Sequence, residues 1–224
     1  MHQILYQGIM RSMARRDYFA WHDDYDRPGS ALHLRLLVVQ DMLAAALDDC
    51  PAGPIRVISM CAGQGHDLLT VARRHRRGRD ISARLVELDP RNVLLARNAI
   101  ENAGLAGLEV IEGDAGRSDT YVGVAPADIV LACGIFGNIT DEEVEQTVHG
   151  LPLLCADNAV VLWTRAPRED GILHQIEAWF RSASFEPLSL VVGQGDLFGV
   201  GAARYRRDAP TLRRDVTFFE SFFR

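Results

Sequence analysis

From residue 55 onward the chain alternates β-rich runs with helix-patterned segments, and that alternation leaves few folds open. "IRVISM", "ARLVEL", "LEVIEG", "DIVLAC" and "AVVLWT" are short, apolar and rich in β-branched residues. Helical periodicity fills the gaps at Leu68–Arg77, from Pro90 to Gly104, from Thr140 toward Gly150 and at Ile172–Ser182. Strands separated by helices pair in parallel, because a crossover helix carries the chain back to the starting end of the sheet. The alternation then breaks. "LSLVV" and "FGVGAARY" are joined by "GQGD", too short for a crossover, which predicts an antiparallel hairpin. The expected architecture is therefore α/β: a three-layer α-β-α arrangement around a mostly parallel sheet, closed by one antiparallel strand.

Local signals support these boundaries. Asp89 followed by Pro90 is a cap with a first-turn proline, and Gly104 stands where that helix should stop. Thr140 and Glu143 have the spacing of a capping box. Arginines crowd the end of the Leu68–Arg77 segment, with Gly78 just beyond. The run "RRHRRGR" there is read as a solvated face rather than a nucleic-acid track.

The first ~50 residues read as helical on the same periodicity. Gln3–Arg15 carries Ile4, Leu5, Ile9 and Met13 at helical spacing, and Ser30 is placed to cap a helix over Ala31–Leu47. Between them lies "YFAWHDDYDRPGS", aromatic and acidic together. The expected organisation is residues 1–54 as N-terminal helices and lid, with residues 55–224 as the α/β domain, in one compact unit.

Composition narrows the function. A net charge of −6 disfavours nucleic acid and anionic membranes as partners. All 24 basic residues are arginine, which excludes a lysine Schiff base, a lysine general base and a P-loop lysine. Cys50, Cys61, Cys133 and Cys155 are scattered without metal-finger spacing. With no leader-like apolar stretch in "MHQILYQGIMRSMARR" and no membrane-length apolar run, the expected compartment is the cytoplasm. The tail "TFFESFF" would set Phe218, Phe219, Phe222 and Phe223 on one helical face, either packed on the sheet or forming a dimer contact. The oligomeric expectation is a monomer or a homodimer.

In an open α/β sheet, ligands bind beyond the C-terminal ends of the strands. The first such end is "CAGQGHD", where Gly63 and Gly65 permit positive φ ahead of a helix N-terminus. By itself this turn could be purely structural; "GQG" recurs at Gly193–Gly195, where alternating residues follow and a hairpin turn is expected. The next end carries Glu87, 22 residues after Gly65, where a carboxylate can accept both hydrogen bonds of a ribose diol. The third is "EGDA", with Asp114 placed to accept from an adenine amino group.

This ordered set resembles the class I S-adenosylmethionine-dependent methyltransferases. The resemblance runs from about Ile55 to Tyr205 and rests on "VISMCAGQG", "VELDP", "EGDA", "ADIVLACGIF" and the closing antiparallel strand. It implies the strand order 3-2-1-4-5-7-6 and S-adenosyl-L-methionine as cofactor, with S-adenosyl-L-homocysteine as product. It implies that Cys61, Ala62, Gly63, Gln64 and Gly65 line the methionine end, and that Glu87 holds the ribose with Leu88 beside it. Gly113, Asp114 and Ala115 would meet the adenine, and Cys133 and Gly134 would flank the sulfonium. The family's acid-x-Gly-x-Gly-x-Gly pattern here has Ser59 for the acid and Cys61 for the first glycine. Cys61 is accordingly expected in an ordinary backbone conformation. An NAD(P) fingerprint would need a third glycine where Leu68 stands.

The acceptor is constrained by what is absent. The "(N/D)-P-P-(Y/F)" motif of amide and adenine N-methylation is replaced by "CGIFGNI". The fourth and fifth strand ends hold Cys133 and Thr164-Arg165, unsuited to a hard cation, so no metal is expected. The remaining expectation is O- or N-methylation of a small molecule. Tyr18, Trp21 and Tyr25 would wall its pocket, His22 is the candidate base, and Asn138 would touch the acceptor or cap a loop. Arg35 would pair with the methionine carboxylate or lie on the surface. Adjacent strands one and four would bring Cys61 and Cys133 side by side, as packing residues or as a redox pair. The alternative reading is a cofactor-binding protein that no longer catalyses and acts in regulation, with an NAD(P) oxidoreductase behind it.

Overall fold

The computed structural model describes residues 22–220. A 3₁₀ turn at His22–Asp26 leads to helix α1, Ala31–Asp49. Then follow β1 (Ile55–Ser59), α2 (His66–Arg74), β2 (Ile81–Glu87), α3 (Pro90–Ala103) and β3 (Leu108–Glu112). The second half comprises β4 (Ala127–Ala132), α4 (Asp141–Gly150), β5 (Cys155–Arg165), α5 (Ile172–Ser182), β6 (Phe185–Val192) and β7 (Gly199–Tyr205). The predicted helix at Gln3–Arg15 lies outside the described residues.

The seven strands form one sheet in the order β3-β2-β1-β4-β5-β7-β6. Pairings through β5 are parallel, and β7 runs antiparallel to both β5 and β6. On one face, Leu43 and Leu47 of α1, Leu68 of α2 and Val93 of α3 pack over Val57, Leu85 and Leu131. On the other, Val144 and Val148 of α4 and Ile176 and Phe180 of α5 pack over Ile58, Val130 and Val161. Alternation along each strand divides the apolar residues between these faces.

The caps behave as their chemistry dictates. Ser30 accepts from the His33 N–H at 3.0 Å, Asp89 accepts from Arg91, and Thr140 and Glu143 complete the capping box. Gly104 ends α3 at φ 63°, a conformation that costs a side chain but not glycine.

Other boundaries differ from the sequence reading. Helix α2 spans His66–Arg74 rather than Leu68–Arg77. It starts directly after Gly65, and its end is cut short because Arg77 turns inward. The Arg77 guanidinium donates to the carbonyls of Cys50 and Gly53 at 2.7 Å each and pairs with Asp80 at 2.9 Å. One arginine of the basic run is thus a buried tie between the ends of α1 and α2, while Arg73, Arg74, Arg76 and Arg79 stay exposed. Strand β5 begins at Cys155, four residues before the predicted start. Its polar opening pairs Cys155 with Ala127, and a bulge containing Asn158 at φ 62° resets the register to Ile129↔Val160.

The tail is not helical at Phe218 and Phe219. The Phe218 N–H is used on the Gly116 carbonyl at 2.8 Å, and Thr217 bridges Arg117 as an isolated antiparallel pair. Both rings are buried in the face that carries α4 and α5. Phe222 and Phe223 lie outside the described residues.

Candidate functional site

Four strand ends converge on the glycine turn after β1. The Met60 N–H donates to the Leu131 carbonyl of β4, and the Ala62 N–H donates to the Val86 carbonyl of β2, each at 2.9 Å. Gly63 and Gly65 take φ 55° and 74°. A Cβ on Gly65 would also sit 2.8 Å from Leu85 Cδ2, so space and backbone both require glycine there. Cys61 adopts φ 48° and not the ordinary conformation expected of it. The turn keeps the left-handed geometry that the family fills with glycine, and here a side chain bears its cost.

Glu87 is the hub. Its Oε2 accepts from the Gly63 N–H at 2.7 Å and its Oε1 from the Asp89 N–H at 2.8 Å. Its backbone carbonyl accepts from Gly113 at 2.9 Å. The carboxylate therefore ties the β1 turn to the start of α3. A carboxylate has about four acceptor sites, so two bonds leave capacity for a diol. Leu88 is exposed beside it, offering a flat apolar surface. Asp114 Oδ1 accepts from the Gly116 N–H at 2.8 Å, and Ala115 is held by the Tyr121 hydroxyl donating to its carbonyl at 2.8 Å. Gln64 turns aside, donating to buried Asn92 of α3 at 3.3 Å.

At the end of β4, the Gly134 N–H donates to Thr164 Oγ1 at 2.7 Å, joining this loop to β5. Asn138 donates from Nδ2 to the Gly134 carbonyl at 2.6 Å, which is the loop-capping role. Cys61 and Cys133 are both free thiols. They do not share one environment: Cys61 packs against the face carrying α4 and α5, Cys133 against the face carrying α1 and α2. The two are not side by side in one environment, because Cys61 itself leaves strand geometry at φ 48° beyond the paired part of β1. Burial pushes both thiols above their ordinary pKa, with Glu87 and Asp114 adding to the effect at Cys61.

The N-terminal approach to the turn is ordered by polar contacts. Arg35 Nη2 donates to the Tyr25 hydroxyl at 2.7 Å, and the Tyr25 ring lies 5.4 Å from that of His66, the first residue of α2. Gln40 of α1 donates to the His66 carbonyl at 2.9 Å. Arg35 is accordingly part of this cluster rather than a surface residue. Tyr18, Trp21 and the side chain of His22 lie outside the described residues.

Asp67 is the site residue that sequence reasoning passed over. It stands inside "CAGQGHD" at the first turn of α2, accepts from the Leu68 N–H at 2.7 Å, and is half-buried. Burial raises its pKa, and the charges of His66 and Arg35 pull the other way. Its signal was an acid two residues past the last glycine. Its value shows only once α1 brings Arg35 and Tyr25 alongside. Among the described residues, no group of three or more His, Cys, Asp or Glu is placed to hold a metal ion, and no helix is long and apolar enough to cross a membrane.

No protein-family model and no curated protein matches the chain. Solved structures do. The magnesium protoporphyrin IX methyltransferase ChlM of Synechocystis PCC 6803, crystallised with bound S-adenosylmethionine, is 14% identical at a TM-score of 0.65, with 88% of this chain and 96% of that one covered. The CurJ carbon methyltransferase is 14% identical at a TM-score of 0.68, covering 85% and 59%. An O-methyltransferase family protein of Burkholderia thailandensis is 18% identical at a TM-score of 0.63, covering 85% and 60%. The chain spans between 55% and 60% of the length of several structures it matches. The sheet order, the reversed β7 and these likenesses together define the class I methyltransferase fold.

Proposed function

We propose that the protein binds S-adenosylmethionine across the ends of β1 to β4 and transfers its methyl group to oxygen or nitrogen of a small-molecule acceptor without a metal. The observation that carries this reading is Glu87. Its carboxylate organises the glycine turn through Gly63 and keeps acceptor capacity for a ribose diol. The other residues fit the same ligand. Leu88, Asp114 and Ala115 suit a purine; Gly63, Gly65 and the α2 N-terminus suit an amino-acid carboxylate. Asp67 provides a carboxylate for an ammonium group at a site where Ser59 provides none, and Arg35 provides a complementary cation.

The cofactor when bound supplies an electrophilic methyl group; the chain supplies alignment. The Gly134–Thr164 bond ties the β4 loop to β5, and the Tyr25 ring packs against His66 on the N-terminal side of the glycine turn. An acceptor nitrogen that is already neutral needs no base, whereas a hydroxyl acceptor would need one within hydrogen-bond reach. Likenesses to enzymes named for oxygen and carbon methylation support the donor without naming the acceptor.

Calorimetric titration with S-adenosylhomocysteine tests the reading. Wild-type protein should bind with micromolar affinity, and Glu87→Ala should lose about 1–3 kcal/mol. No heat from wild type at concentrations suited to micromolar binding would refute the methyl-donor reading. Binding without transfer to any acceptor would favour a regulatory protein built on this fold, the reading that the altered Ser59 and Cys61 positions keep open.

A further inference from the structure

Arg165 ends β5, one residue after the Thr164 hydroxyl that accepts from Gly134. Its guanidinium lies under the loop that leaves β4: a Cβ on Gly137 would stand 3.5 Å from Arg165 Nη1. The side chain is only 11% exposed, and its Nε–H is buried with no hydrogen-bond partner among the described residues. Asp141, at the first position of α4, is 3.6 Å away, beyond hydrogen-bond range, and Asp170 acts on the guanidinium only as a nearby charge. Asp141 is already engaged by Arg168, which also pairs with Asp170. Burial and the adjacent Arg168 charge both destabilise the Arg165 cation.

A buried guanidinium with an orphaned donor is unusual, since such groups normally find an acceptor. An Nε–H beside an Nη–H is the edge that receives a carboxylate with two parallel bonds. The ends of β4 and β5 are joined through Gly134 and Thr164, and the family resemblance sets Gly134 beside the sulfonium.

We infer that Arg165 recognises the methyl acceptor, and that the acceptor carries a carboxylate. This rests on the methyl-transfer reading and adds the substrate class to it. Arg165 is a binding residue in this account, and the carboxylate is the handle that orients the acceptor.

The test titrates matched pairs, benzoate against benzamide and butyrate against butyramide, into protein saturated with S-adenosylhomocysteine. At least one carboxylate should bind where its amide does not. R165Q should weaken that carboxylate by ~10–100-fold while leaving S-adenosylhomocysteine affinity unchanged. R165K, which keeps the charge but not the fork, should fall between. A purely structural Arg165 would lower the unfolding midpoint of R165Q without any selective loss of the carboxylate. Carboxylates binding no better than amides, or binding R165Q as well as wild type, would overturn the inference. Failure of wild type to bind S-adenosylhomocysteine at all would instead overturn the methyl-donor reading, and this inference with it.

Discussion

At the residue scale, the site depends on a few side chains that carry costs for the fold. Cys61 occupies a left-handed backbone conformation, which costs a non-glycine residue roughly 1 kcal/mol or more. Asp67 carries a different cost. Burial raises its folded pKa above the unfolded value of a carboxylate, so ionisation at neutral pH opposes folding. The sign follows from linkage. The stabilising, protonated state is present at low pH and is lost as pH rises through the folded pKa. Asp67→Asn should therefore be more stable than wild type at pH 7, and its advantage should shrink as pH falls through the raised folded pKa and be gone below about 4. The same variant should bind S-adenosylhomocysteine more weakly. Urea unfolding at the two pH values, with calorimetry alongside, measures both. Equal stability at pH 7 would show that the carboxylate is well solvated. "CAGQGHD" displayed the glycines and Asp67 alike, but only the glycines have a meaning that is independent of what folds over them.

At the element scale, the connections matter more than the periodicity predicted. The alternation of strand and helix patterns placed every strand and α-helix between β1 and β7, because parallel strands and their crossover helices are set by local apolar spacing. It misplaced the end of α2, because Arg77 leaves the solvated run to satisfy carbonyls at Cys50 and Gly53. It also shortened β5, because Asp157 and Asn158 look like a turn until Cys155 pairs with Ala127. Arg77→Met removes a buried donor set and leaves two carbonyls unpaired, so it should cost about 2–4 kcal/mol. Chemical denaturation measures this, and Arg76→Met, at an exposed position three bonds from the same network, should change stability by less than about 0.5 kcal/mol.

At the scale of the whole molecule, the tail closes the face that carries α4 and α5. Phe218 is fully buried, its ring lies 6.1 Å from that of Tyr121, and Gly150 makes room for it: a Cβ there would come within 2.6 Å of the ring. Tyr121 in turn holds Ala115. Phe218→Ala should lower stability by about 3–5 kcal/mol. Its effect on S-adenosylhomocysteine affinity should be small, since Phe218 reaches the site only through Tyr121. A loss of affinity larger than the loss expected from unfolding would mean that the tail shapes the adenine pocket directly. The four phenylalanines marked the tail as apolar, and the sequence pattern suggested a helix; the actual course came from the Gly116 carbonyl, which no periodicity could reveal.

The sequence by itself determined the layers, the sheet order implied by the family resemblance, and the positions of Gly63, Gly65, Glu87 and Asp114 at successive strand ends. Each follows from signals carried within one element: apolar spacing, caps, and glycines at forced turns. Only the tertiary structure decided what those residues touch. It put Glu87 on the Gly63 N–H, packed Cys61 and Cys133 against opposite faces of the sheet, gathered Tyr25, Arg35 and Asp67 at one turn, and left Arg165 buried beside a carboxylate already taken by Arg168. Those outcomes depend on contacts between elements distant in the chain, and burial, not spacing, sets their energies.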